Sequence, residues 1–266
     1  MVKRTALITG ASAGIGAALA RVYAEKGWDL ILVARREAPL QSLARALSVD
    51  HSVSATVLTA DLAVSDEPHR LFATVEARGL KVDALVNNAG FSRTTGFLAT
   101  SPEDHAAMID VMLTAPITLS RLLLPGMVER SFGRVLNVAS LAGLMPATGG
   151  DTLYGPIKSF LIKASAGLHL ELAGTGVHVT ALCPGYTLTE FHDVNGSREE
   201  VSSAYPAWMW QTAEHVARVG YAAVEANRPR VIPGWRNNLL AAIPKLLPDA
   251  LALKIISGHA RRLKRI

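Results

Sequence analysis

Short apolar runs alternate with longer stretches of helical periodicity along most of this chain, and that alternation leaves few folds open. The apolar runs fall at residues 5–9, 29–34, 53–58, 82–87, 133–139, 177–183 and 229–232. Between them, residues 14–26, 36–48, 66–78, 102–129, 154–173 and 211–226 carry helical spacing. Strands that read as near-continuous apolar runs are covered on both faces, and helices between them supply the cover. Right-handed crossovers then give an α/β fold with a doubly wound parallel sheet. No repeat, linker or composition shift divides the sequence, so residues 1–266 are expected to form a single domain.

Half of the residues are hydrophobic and 18% are charged, which excludes a disordered chain. The net charge of +5 is local. Residues 250–266 hold five of the 27 basic residues and no acid, so the other 22 balance the 22 acids. A nucleic-acid surface would need bases spread over a folded face, and no nucleic-acid partner is expected. The single cysteine, Cys183, lies in the apolar run 177–183 and reads as a buried hydrophobe in a reducing compartment. No leader and no bilayer-spanning run stand out, so a cytoplasmic protein is expected. No metal ligands are assigned.

The first strand runs into Thr9-Gly10-Ala11-Ser12-Ala13-Gly14-Ile15-Gly16, which opens the first helix. Glycines there allow a tight turn and let backbone N–H groups approach a pyrophosphate at the positive end of the helix. An acid ending the second strand would bond a ribose 2′-hydroxyl, but Ala34 stands there, followed by Arg35 and Arg36. A guanidinium suits a 2′-phosphate through paired, charge-assisted hydrogen bonds. Arg35 is read in that role. Arg36 is read either there or as a solvated start to the next helix.

The Thr-Gly-x-x-x-Gly-Ile-Gly spacing resembles the short-chain dehydrogenase/reductase family, and other segments extend the likeness over about residues 3–230. They are Asp61-Leu62, Asn88-Ala89-Gly90 after Asn87, Ser140, Tyr154-x-x-x-Lys158, and Pro184-Gly185 with Thr189 beyond. The resemblance implies a Rossmann-type sheet, NADP(H) as cofactor, a small carbonyl or alcohol as substrate, and a homodimer or homotetramer through helices 102–129 and 154–173. It places Gly10, Ser12, Ala13, Gly14, Ile15, Gly16, Asp61, Leu62, Asn88, Ala89, Gly90, Pro184, Gly185 and Thr189 against the cofactor.

Tyr154 and Lys158 lie four apart, on one helical face. Pro156 between them is tolerated only where that helix begins. A phenol with a pKa near ~10 is a poor base at neutral pH. A nearby ammonium and an oxidised nicotinamide are expected to lower it, making Tyr154 the acid/base, with Lys158 also bonding the nicotinamide ribose. Ser140 would steady the substrate oxygen.

One catalytic position departs from the family. Where an Asn is usual, Asp110-Val111-Met112-Leu113 places Met112, which offers no amide. Pro116 lacks the N–H that would bond the Met112 carbonyl, so a helix break with a free carbonyl is expected there. A water held by backbone would then keep a weakened proton relay. The alternative is an NADP(H)-binding protein of low turnover, a sensor or scaffold.

Residues 186–210 hold Tyr186, Phe191, Tyr205, Trp208 and Trp210 and correspond to the family's substrate lid. These aromatics either receive an apolar, bulky carbonyl compound or pack the lid onto the body. From Trp235 to Ile266 an apolar tail ends in basic residues. It is read as cover for the pocket or a subunit neighbour, with peripheral membrane contact as the second choice.

Overall fold

The computed structural model describes residues 3–92, 95–147, 151–190 and 206–262. Seven parallel strands form one sheet: β1 (Thr5–Thr9), β2 (Asp29–Ala34), β3 (Ala55–Thr59), β4 (Ala84–Asn87), β5 (Gly133–Val138), β6 (Val177–Leu182) and β9 (Arg230–Val231). Their order is β3-β2-β1-β4-β5-β6-β9, and every neighbouring pair is parallel. β7 (Thr187–Leu188) pairs with β8 (Gln211–Thr212) in a separate ribbon. Strand order reverses between β1 and β4, and open α/β sheets bind ligands beyond the strand C-termini at such a point.

Alternate residues of one strand enter different cores. Ala6, Ile8, Leu30 and Leu32 join the cluster that includes α1 (Gly14–Glu25) and α7 (Ala213–Glu225). Leu7, Ile31 and Val33 face the opposite cluster, with α3 (Glu67–Ala77) and α5 (Ala115–Glu129). The period of two and burial on both faces explain why these strands read as unbroken apolar runs. α2 (Glu37–His51) and α6 (Tyr154–Glu171) complete the layers.

Residues 102–129, expected as one helix, contain a change of pitch. α4 (Pro102–Ile109) passes through a π turn at Asp110–Thr114 into α5. The N–H of Ala115 reaches the Asp110 carbonyl, five residues back. Pro116 at the start of α5 has no N–H to continue a regular ladder. By length and composition Pro102–Glu129 is apolar enough to cross a membrane, a property the sequence reading did not credit, yet 44% of its apolar window is buried inside the fold. Met108, Met112, Leu119 and Met127 lie in the core, which marks a core helix of the sheet. Beyond β9 come α8 (Trp235–Ala242), a 3-10 turn at Ile243–Leu246, and α9 (Asp249–Arg262).

Candidate active site

The glycine loop leaves β1 with Gly10 at φ +65° and turns into α1 at Gly14, φ +56°, both in the left-handed region that glycine tolerates. A side chain on Gly16 would run into the Gly10 carbonyl, so α1 can start this close to the turn only as glycine. Ala13 caps α1 with no side-chain acceptor, and the first turn carries no acid. The first N–H groups of α1 therefore have no intrahelical or side-chain cap, which suits an anion.

The segment after β4 is stitched to this loop. Asn88 Nδ2 donates to the Thr9 carbonyl at 2.9 Å and the Gly10 carbonyl at 3.2 Å. The N–H groups of Asn88 and Ala89 donate to Thr9 Oγ1 at 3.0 and 3.1 Å. Thr189 packs on Gly14 from the far side. Asp61 accepts from the Ala63 N–H, and Leu62 is buried beside Met108, Met112 and Ile157.

At the end of β2 the two arginines differ. Arg35 is exposed. Arg36 donates to Ser12 Oγ at 3.3 Å and pairs with Glu190 at 3.0 Å, joining the glycine loop to the segment after β7. Both arginines directly follow β2, no acid ends that strand, and no side chain caps the first turn of α1. The residues present fit a phosphorylated dinucleotide.

Ser140, Tyr154 and Lys158 meet beyond β5. Ser140 accepts from the Ala142 N–H at 3.1 Å and caps a 3-10 turn, Leu141–Leu144, that packs on α6. A side chain on Gly143 would lie 2.6 Å from the Lys158 backbone, so the close approach depends on glycine. Tyr154 opens α6, placing Pro156 in the first turn as expected. Its hydroxyl lies near enough to Ser140 for the serine to favour the phenolate. Lys158 is buried, and its Nζ donates to the Val138 carbonyl at 2.9 Å and lies 5.6 Å from the centre of the Tyr154 ring.

The electrostatics differ from the sequence expectation. Burial pushes the Tyr154 hydroxyl up to about 12, against Ser140, which lowers it, and with Asp151, which raises it further. Burial also pulls the Lys158 ammonium down to about 8. The protein's own groups thus hold Tyr154 as a phenol, because desolvation outweighs charge here. Cys183 is fully buried and its thiol is pushed up to about 12 by burial, in keeping with an inert packing role.

Met112 is fully buried within the π turn. A Cβ on Gly90 would lie 3.1 Å from Met112 Sδ and 3.6 Å from Lys158 Nζ, so thioether and ammonium border the same glycine. The short chain dehydrogenase family profile matches residues 4–200. This chain belongs to the short-chain dehydrogenases. It is 38% identical over 216 residues to the NADP-dependent 3-hydroxy acid dehydrogenase YdfG of Salmonella typhi, covering 79% of this chain and 84% of that protein. Among solved structures it superposes on a short-chain dehydrogenase from Sphingobium yanoikuyae in complex with NADPH, with TM-score 0.80 and 29% identity over 91% and 94% of the two chains. A 7beta-hydroxysteroid dehydrogenase structure gives TM-score 0.85 and 25% identity over 96% of each.

Asn137, Ser165 and Asn237 had no role in the sequence reading, whereas Asn87 belongs to the segment the resemblance places beside the central sheet. Asn87 Nδ2 donates to Asn137 Oδ1 at 2.8 Å, and Asn137 Nδ2 to Ser165 Oγ at 2.9 Å, tying β4 and β5 to α6 beneath the site. The signal was a polar residue inside each of two apolar strands. Asn237 of α8 packs against Gly185 and donates to the Pro233 carbonyl at 2.9 Å and to Gln211. Nothing local in the sequence marks it. The ring centres of Tyr186 and Trp210 lie 5.5 Å apart, while Phe191 and Tyr205 fall outside the described residues.

Proposed function

We propose that this short-chain dehydrogenase is an NADP(H)-dependent enzyme interconverting a carbonyl compound and a secondary alcohol through Ser140, Tyr154 and Lys158. Bound NADP(H) supplies the hydride exchanged with the carbonyl carbon. Ser140 holds the substrate oxygen by hydrogen bond, and Tyr154 passes its proton to that oxygen in reduction and recovers it in oxidation. Lys158, its ammonium beside the Tyr154 ring, stabilises the phenolate left behind. The observation that carries this reading is the buried Lys158 ammonium, 5.6 Å from the centre of the Tyr154 ring on the same helical face and held by the Val138 carbonyl of the strand that leads into Ser140.

The glycine loop from Gly10 through Ser12, Ala13, Gly14 and Ile15 to Gly16, with Thr189, takes the diphosphate. Arg35 and Arg36 take the 2′-phosphate. Asp61, Leu62, Asn88, Ala89 and Gly90 line the adenosine side, and Pro184 and Gly185 the nicotinamide side. The substrate is an apolar or bulky carbonyl compound, a reading supported by the partly buried cluster of Tyr186, Met209 and Trp210 and by the hydroxysteroid-acting structural neighbour. Assembly as a dimer or tetramer is supported by exposed Ile117, Phe160 and Leu170 on α5 and α6. A monomer mass by light scattering would remove that part.

Oxidation of NADPH and of NADH against bulky ketones and 3-oxo acids tests the proposal. NADPH with bulky ketones should react fastest, and Tyr154→Phe should lose about 10²–10⁴-fold in kcat while still binding NADPH. A preference for NADH overturns the role of the arginines. Undiminished turnover in Tyr154→Phe overturns the chemistry.

A further inference from the structure

The C-terminal region exposes more apolar surface than a covered helix pair needs. Trp235 and Leu239 of α8 and Ile243, which opens the 3-10 turn after it, follow one another at i, i+4 spacing, and Leu246 ends that turn. Their exposures are 71%, 55%, 44% and 84%, while Asn237 and Ala241 of the same helix are buried on its inner side. In α9, Leu251 and Leu253 are also exposed, on either side of buried Ala252. Trp208 joins the row from the lid region, because Arg236 stacks on both indoles, 5.0 Å from Trp208 and 5.3 Å from Trp235.

The charge of this region selects its partner. From Trp235 onward the sequence holds seven Lys and Arg and one acid, Asp249, leaving 20 of the 27 bases and 21 of the 22 acids to the rest of the chain. A two-fold contact between copies would bring two such net-positive segments together, and like charges oppose that. An anionic lipid surface meets both features. Leucines enter the acyl boundary, indoles sit at the headgroup level, and cations meet phosphates.

We propose that the exposed row of α8 and the 3-10 turn after it docks the enzyme on anionic bilayers as a peripheral protein. The apolar row enters the interface, and Arg236 lies at its margin beside Trp235.

Co-sedimentation of the full-length protein with phosphatidylglycerol-containing vesicles, compared with phosphatidylcholine vesicles, tests it. Binding should favour the anionic vesicles, weaken as salt is raised, and be accompanied by a blue shift of tryptophan emission. Leu246→Glu should lower the partition constant about tenfold, as expected for withdrawing one leucine from the interface, while turnover of a soluble ketone stays unchanged. No binding, equal binding to both vesicle types, or full binding by Leu246→Glu overturns the proposal. So does a fall in the solution mass of Leu246→Glu by light scattering, which would assign the face to a second copy of the chain.

Discussion

Met112 stands beside Lys158 where an amide is usual in this family, and the difference is chemical more than steric. A thioether is a weak acceptor and no donor, whereas an amide does both. With Met112 fully buried and Sδ near Gly90, an Asn there would face the Lys158 end of the site. Met112→Asn is expected to raise kcat by completing a hydrogen-bonded path for the proton that Tyr154 exchanges. Burying an amide costs about 1–3 kcal/mol if it finds no partner, so the same variant should lose thermal stability unless it bonds to its surroundings. Steady-state kinetics and a melting curve on one preparation separate the two effects, and an unchanged or lower kcat would sink the relay account. Tyr154 shows why residue-level reading fell short. The sequence shows the lysine four residues on, but not the packing that pushes the phenol up to about 12.

At the scale of elements, the π turn ties the backbone to the same chemistry. Pro116 could be read from the sequence as a break in a long helix, and the structure places the break at Asp110–Thr114. Pro116→Ala restores an N–H four residues beyond the Met112 carbonyl and lets the regular ladder form. If that carbonyl serves the proton path, the variant should lose about tenfold in kcat, a partial share of a general acid–base contribution. Its NADPH dissociation constant should not move. Equal loss in binding and turnover would show a general distortion of α5 instead. Strands, helices and the glycine loop were legible because their signals are local: apolar runs, helical spacing, and glycines between a strand and a helix. Asn237 against Gly185, Ser165 beneath Asn137, and Arg36 between Ser12 and Glu190 were not legible as contacts. Each joins segments distant in sequence, and only the sheet order brings them together.

For the molecule as a whole, the site weighs on stability. Lys158 is buried with its ammonium held down to about 8, against the ordinary 10.5. Below about pH 8 both folded and unfolded chains keep the proton, and the fold carries the full cost of burying the charge. Between about 8 and 10.5 the folded chain releases the proton first, so the unfolded state binds more protons and stability from this group rises with pH. Tyr154, raised to about 12, acts in the opposite sense above its ordinary 10.0, because there the folded chain keeps a proton that the unfolded chain loses. The lysine gap corresponds to ~3 kcal/mol at 1.36 kcal/mol per pKa unit. Loss of the Nζ bond to the Val138 carbonyl offsets about 1–3 kcal/mol of it. Lys158→Met should therefore be about 1 kcal/mol more stable than the parent near neutral pH, or roughly 2–4 °C for a chain of this size. Its advantage should shrink as pH rises from about 8 towards 10, while turnover is lost. Calorimetry across that window checks both the sign and the trend. A variant that melts below the parent at neutral pH would mean that the ammonium's hydrogen bond outweighs its desolvation, and Lys158 would then be a structural asset as well as a functional one.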